Sequence, residues 1–465
     1  IEQFYTVFNL VKMATALRPD LPACDESDTA IHPNDKWHGL VYFALTGEKR
    51  LTLSWGVLAM DPTFLPIDNV VVENEFTTDR LTPRRDSVDV DYRATVGQAF
   101  GLSYQLAPSL AKLTGGLVAY LPLEQVAFFD TGEPYVPEYV LYRARTQRPQ
   151  VELALGAEPL PGLFVGAGAH VAFSLTGNAT VFLQTKPEQP STMRFSTSLK
   201  PKAAPYFGVL YAPNSGYTGA SSRESEPAGS FSLGAVFRMS VESAANLTLN
   251  SGARAFGSLS ALDFNFGAVS ALFYDPQAIE LGGSLQYSDW GRAFVQVDYQ
   301  FWKNFKSPTL SIIDPDVQPC DPSAVTCPPP GILINPSSNP TFPYRNILIP
   351  RLGHELTIGK TVWRLGYAYR PSFMAGVPSG PGNFLDPPKH MATLGVGVKF
   401  PKFLSFDVPC HIDFHFAYHR LLTQQITKTE GNELEQGSGD RKIGAPGYLA
   451  GGKILGGGLS LTLAF

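Results

Sequence analysis

The chain has 465 residues, a formal net charge of -5, 17% charged residues and 12% aromatics. Soluble domains carry roughly 25% charged residues, and a soluble chain this long would split its core among domains, a limit that one large membrane barrel escapes. No apolar run reaches roughly 18 residues and there is no basic block or acidic tail, which excludes a helical membrane span and gives no footing for nucleic acid.

Residues 1–36 do not alternate. Phe4, Val7, Phe8, Val11, Met13 and Ala14 have the spacing of a short amphipathic helix ended by Pro19. It could plug a lumen, lie on a membrane surface or pack on a loop. Ile1 does not resemble a translation start, so a processed or trimmed export product is expected. The expected division is a non-barrel segment at 1–36 and a barrel at 37–465.

Period-two alternation then recurs along the chain. Leu51, Leu53, Trp55, Val57 and Ala59 share a face opposite Thr52, Ser54, Gly56 and Leu58. Leu281, Gly283, Leu285 and Tyr287 oppose Glu280, Gly282, Ser284 and Gln286. After a turn at 288–291, Ala293, Val295, Val297, Tyr299 and Phe301 oppose Gln296, Asp298, Gln300 and Trp302. Trp363, Leu365, Tyr367 and Tyr369 face away from Arg364 and Arg370. Ile412, Phe414, Phe416 and Tyr418 alternate with His411, Asp413, His415, Ala417 and His419. The chain closes on Leu459, Leu461, Leu463 and Phe465 against Gly458, Ser460, Thr462 and Ala464.

Runs of about 9 to 12 residues suffice for a tilted strand to cross the hydrocarbon core, and Trp and Tyr gather near their ends as interfacial girdles. The fold class is therefore all-β: a transmembrane antiparallel β-barrel of about 12 to 16 strands in a Gram-negative outer membrane, with long extracellular loops. Residues 47–49 and 288–291 are expected as tight turns. Segments 61–86, 214–228, 303–350, 371–388 and 421–446 are expected as long external loops.

Cys320 and Cys327 lie in a polar, proline-rich stretch where a local disulfide suits an oxidising compartment; the pairing of Cys24 and Cys410 is open. No metal or other cofactor is expected. His411, His415 and His419 alternate on a strand, where same-face neighbours stand roughly 6.6 to 7 Å apart, so residues four apart cannot share one ion. Glycines at 166–168 and 456–458 read as strand glycines, not phosphate loops. No nucleophile elbow or ordered triad is present, so an enzyme is not expected.

Four segments carry a resemblance. Asp275-Pro276 followed by Ile279–Tyr287 and Val297–Trp302, then Phe231–Arg238, Trp363–Tyr369 and Ile412–Tyr418, resemble the outer-membrane family of long-chain fatty-acid and aromatic-hydrocarbon transporters. The resemblance implies a monomeric fourteen-stranded barrel with an N-terminal plug. Ligands would bind an apolar pocket among the external loops and leave through a lateral opening made by a kinked strand. The family's plug carries an Asn-Pro-Ala segment that is missing here.

The expected function is passive capture and diffusion of hydrophobic molecules. A hydrophilic or substrate-selective porin, and a structural or adhesive barrel, are the alternatives. The expected partners are small hydrophobic molecules, membrane lipid and lipopolysaccharide. Candidate capture residues are Phe64, Leu65 and Ile67, then Ile332, Leu333 and Ile334, then Phe373 and Met374. Each could equally pack its own loop. Asp298, Arg364, Arg370, Asp413 and His415 should point into the lumen, where buried charges need partners.

Overall fold

A computed structural model of the chain describes residues 51–77, 80–107, 113–123, 132, 134–142, 149–184, 192–213, 228–254, 262–316, 342–377, 382–400, 408–428 and 443–465. In chain order the strands begin with β1 (Leu51–Phe64), β2 (Ile67–Thr77), β3 (Arg80–Val88), β4 (Thr95–Ala107) and β5 (Leu113–Pro122). Next come β6 (Glu138–Tyr139), β7 (Gln150–Leu160), β8 (Leu163–Gln184), β9 (Thr192–Tyr211) and β10 (Phe231–Arg238). Then follow β11 (Val241–Arg254), β12 (Leu262–Asp275), β13 (Ala278–Ser288), β14 (Gly291–Gln300) and β15 (Leu310–Asp316). The last are β16 (Ile347–Ile358), β17 (Thr361–Arg370), β18 (Phe384–Leu385), β19 (Lys389–Phe400), β20 (Cys410–Thr427) and β21 (Gly447–Ala464).

Fourteen of these close a barrel in the order β1, β4, β5, β7, β8, β9, β10, β13, β14, β16, β17, β19, β20, β21, and β21 returns to β1. Every seam is antiparallel. Closure leaves no open edge within the wall, which a sheet in hydrocarbon requires. The residues that point outward are apolar: Leu155, Phe207, Leu281, Val295, Leu352, Leu365 and Phe414 are all at least 42% exposed. The inward positions of the same strands carry Glu152, Glu280, Asp298, Arg351, Arg364 and Asp413, all buried. This inverted polarity, apolar outside and charged inside, is the architecture of Gram-negative outer-membrane barrels, and it makes the chain a multi-pass barrel of that membrane. No helix among the described residues is long and apolar enough to span a membrane, which leaves the crossing to the strands.

One rim holds the tight turns. β7 and β8 join through Gly162 at φ +75°, β13 joins β14 at 288–291, and β16 joins β17 through Gly359 at φ +63°, where a side chain would be strained. Leu51 and Phe465 pair at this rim through reciprocal backbone hydrogen bonds. β9 also ends at this rim, where Tyr211 pairs with Leu163 beside the Gly162 turn. Segment 214–228, expected among the external loops, lies outside the described residues apart from Ala228. Other expected loops are partly strand. β1 runs to Phe64, β2 and β3 form a hairpin, β16 begins at Ile347, and β20 and β21 reach Thr427 and Gly447. Residues 1–36, the turn at 47–49, Ile332, Leu333, Ile334, Cys24, Cys320 and Cys327 lie outside the described residues. Cys410 is buried and forms no disulfide among the described residues.

At the other rim the wall changes construction. β8 and β9 are 22 and 20 residues long, about twice what a spanning strand needs. Above the barrel the chain from β10 passes the lumen side of β9, where Val241 packs on Ala172 and Ala204. The Ser243 hydroxyl donates to the Phe173 carbonyl. β11 then pairs in parallel with the far edge of β8, and β12 and β15 extend this second sheet. The small residues at the crossing are what lets two layers of backbone approach.

Candidate functional site: a stitched cap over an ionic lumen

The lumen wall is built from period-two alternation, so every second residue of each strand points in. Glu280 on β13 and Asp298 on β14 are directly opposed, an arrangement that repels. Each is matched by an arginine on its outer neighbour. Arg238 on β10 brings Nη2 to 3.1 Å from Glu280 Oε1, and Arg351 on β16 brings Nε to 2.7 Å from Asp298 Oδ2. The order around the wall is thus plus, minus, minus, plus. The Gln296 amide also donates to Asp298.

A second set draws side chains from three strands and spans four. Arg364 on β17 lies 3.2 Å from Glu355 on β16 and 3.3 Å from Asp413 on β20. The strand between them, β19, presents Gly395 and Gly397 at the intervening register positions, opposite Arg364 and Asp413 respectively. Without side chains there, the guanidinium can reach across. His415 stands between Gly395 and Gly458. At the β7–β8 side, His170 Nδ1 lies 3.5 Å from Asp275 Oδ2. Among the described residues no group of three or more His, Cys, Asp and Glu side chains could hold a metal ion.

Above this tier the external connections fold over the mouth. β6, from the β5–β7 connection, pairs in parallel with β18, from the β17–β19 connection. Asn383 ties the junction. Its side-chain amide donates to the Tyr135 carbonyl and to the Ile443 carbonyl at 2.9 Å, and its Oδ1 accepts from the Tyr448 hydroxyl at 2.8 Å. The Lys428 ammonium donates to the Gly382 carbonyl at 2.8 Å; burial lowers its pKa to about 8.

Two apolar clusters fill the cap, one on each side of the β6–β18 junction. The first contains Phe64, Ile67, Tyr139, Leu385 and Ile426. Phe64 stacks on Tyr139 with ring centres 3.9 Å apart. The Tyr139 hydroxyl donates to the Gly451 carbonyl and accepts from its N–H, at 2.9 and 2.7 Å. Burial raises the Tyr139 pKa to about 12. The second contains Trp302, Phe305, Phe342, Phe373, Met374 and Phe384, with Trp302 stacked on Phe373 at 4.6 Å. Arg370 closes its floor: Nη1 is 3.0 Å from each Asp386 oxygen, and the guanidinium carbon lies 5.4 Å from the Phe373 ring centre.

Phe64 and Ile67 therefore lie in the first cluster and Phe373 and Met374 in the second, whereas Leu65 is half-buried beside the first. Asp298, Arg364, Asp413 and His415 line the lumen, and Arg370 sits at its mouth. Sequence reasoning put Glu280 and Trp302 on the inward side of alternating runs without naming them as site residues, and missed Arg238, Arg351, Tyr139 and Phe384. The arginines and Glu280 hold inward register positions, a signal that alternation supplies once the strands are placed. Tyr139 and Phe384 sit in connections with no periodicity to expose them, and Trp302 stands in a short 3-10 turn just past the end of β14.

No family model matches the chain, and no curated protein matches it. Solved structures do. A FadL homologue of Pseudomonas aeruginosa is 13% identical with a TM-score of 0.48, covering 97% of each chain. The Pseudomonas putida toluene transporter TodX is 11% identical with a TM-score of 0.45, covering 97% of this chain and 98% of its own. The Ralstonia pickettii toluene transporter TbuX is 11% identical with a TM-score of 0.42, covering 90% of each. The barrel assignment stands on the chain's own pairing and register.

Proposed function

We propose that the protein carries small hydrophobic molecules across the outer membrane by passive capture and diffusion, with fatty acids or alkylbenzenes as the class of cargo. The observation that carries this reading is the pair of aromatic clusters held between external connections, directly above the lumen. Apolar solutes cross the hydrated lipopolysaccharide layer slowly, and an apolar cap there lowers that barrier. Below the cap the wall is ionic, with side chains already engaged with one another. The hydrocarbon part of such a ligand gains nothing by descending among them, so release sideways into lipid suits it better than an axial path. The β9–β10 seam, which holds only from Tyr206 and Arg238 to Tyr211 and Leu233, is the short seam through which such release would run.

The charged lumen supports a second reading, a substrate-selective hydrophilic porin. Two measurements separate them. Cells that express the barrel should accumulate labelled alkylbenzene or long-chain fatty acid faster than cells without it, and the purified protein should be nearly silent in a planar bilayer. Steady ion conductance without enhanced hydrophobic uptake would replace the first reading by the second.

A further inference from the structure

The outward face of β19, β20 and β21 changes character along one line of register. His390 opposes Arg420, and Arg420 opposes Lys453. Tyr369 on β17 and Thr63 on β1 extend the line to either side. The phase of each strand turns these side chains to the lipid side. On β20 Arg420 continues the exposed set Phe414, Phe416 and Tyr418, whereas Ala417, His419 and Leu421 point inward and are buried. On β21 Lys453 continues exposed Leu455, with buried Ile454 between them. On β19 His390 stands between buried Lys389 and Met391. Arg420 and Lys453 are both exposed.

Like charges directly opposed on one face of a sheet repel. Among the described residues neither Arg420 nor Lys453 is ion-paired. Asp61, which opposes Leu455 and so stands diagonal to Lys453, is not joined to it. His390 Nδ1 lies 2.7 Å from the Tyr367 hydroxyl. With that hydroxyl as donor, the imidazole carries its proton on Nε2.

Height decides what this line meets. Arg420 stands about 34 Å along β20 from Cys410, which pairs with Leu463 near the tight-turn rim. At a 45° tilt that is about 24 Å of height, against an apolar band about 25 Å tall. The line crosses the strands at right angles, so its three basic residues spread over about 7 Å of height, the depth of a head-group layer. Tyr367, Tyr369 and Tyr418 beside them occupy the place of an interfacial girdle. The long connections lie at this end, so the head groups are those of the outer leaflet. Below the cations Gly457 opposes Ala59 on one side and Phe416 on the other. These two small residues leave a depression in the apolar wall between Phe416, Leu455 and Leu459.

We propose that Arg420 and Lys453 bind lipid A, the phosphorylated glucosamine lipid of the outer leaflet, with a phosphate bridging the two cations. The arginine fork suits that phosphate, the His390 imidazole and the Thr63 hydroxyl supply donors, and an acyl chain enters the depression at Gly457. The inference rests on the outer-membrane barrel and its outer rim, not on what the barrel transports.

The test titrates the folded full-length protein in detergent micelles with lipid A carrying both phosphates. Wild type should bind with an affinity that falls as salt rises. The double variant Arg420→Ser, Lys453→Ser should bind roughly thirtyfold more weakly. Lys453→Arg should keep the affinity, as should Lys360→Ser, which removes an exposed cation beside the opposite rim. Lipid A stripped of its phosphates should bind wild type as poorly as intact lipid A binds the double variant. Heat-dependent electrophoretic mobility verifies that each variant is a closed barrel. Equal binding by the double variant, or equal binding of the stripped lipid, would overturn the proposal. So would an equal loss from Lys360→Ser, or inorganic phosphate binding as tightly as lipid A, since either would mark unspecific attraction of anions.

Discussion

Gly458 shows how a residue that looks dispensable in the sequence is fixed by its neighbour. A Cβ there would meet the His415 imidazole and, at 2.5 Å, the Val57 carbonyl oxygen. The run of three glycines within β21 is therefore partly space for a lumen histidine, something no alternation count could show. The charged wall obeys the same local logic. Asp298 faces Glu280, and Arg351 neutralises it from the next strand. Removing one member of such a buried pair leaves the other uncompensated, at a cost of about 3 to 5 kcal/mol, whereas replacing both by apolar residues of similar volume costs far less. Asp298→Leu should thus lower barrel stability by that amount in reversible urea unfolding from lipid vesicles. Adding Arg351→Met should recover most of the loss, and strictly additive effects would show that the two are not coupled. Asp298 was legible as an inward residue. Arg351 was not, because Pro350 made the start of β16 read as loop.

Elements were legible where they repeat and obscure where they do not. The alternating runs gave β13, β14, β17, β20 and the end of β21 their faces, because a strand with lipid on one side and lumen on the other must alternate. β6 and β18 are two residues each, too short to carry a period, and only their pairing across the mouth gives them meaning. The cap they join carries its own titration. Lys428 has a folded pKa of about 8 against an ordinary 10.5, so the open cap binds the proton more tightly than the closed one. Closure is therefore penalised in full below pH 8 and is relieved as pH rises towards 10.5. Tyr139 has a folded pKa of about 12 against 10, so its contribution is complete below pH 10 and lost as pH rises through 12. Amide exchange at the cap should accordingly be slowest near pH 10, after correction for the intrinsic rate. Lys428→Met should flatten the change between pH 8 and 10 and leave the alkaline loss intact. A cap whose corrected protection ignores pH across this range would contradict both assignments.

At the scale of the whole molecule, one surface has to satisfy two solvents. The outward residues of the spanning strands meet hydrocarbon, while the sheet that β11, β12 and β15 build on the upper part of β8 stands above it in water. Exposure to solvent does not distinguish them: Leu281 at mid-strand on β13 is 55% exposed, and Thr248 on β11 is exposed too. The energetic environment does. Leu281 pairs with Val297 on one side and Ala235 on the other, within a continuous apolar belt. An arginine placed there must sit in or drag water into the hydrocarbon, which costs about 2 to 4 kcal/mol near the bilayer midplane. On an aqueous surface the same kind of change stays within about 0.5 kcal/mol. Leu281→Arg should therefore destabilise the folded barrel in lipid vesicles by the larger amount, and Thr248→Arg by no more than the smaller. If both substitutions proved equally mild, the belt would not face lipid. A large loss for Leu281→Arg alone would instead place the boundary between the two solvents below the crossing at Ala172, Ala204 and Val241, where the wall gives way to the projecting sheet.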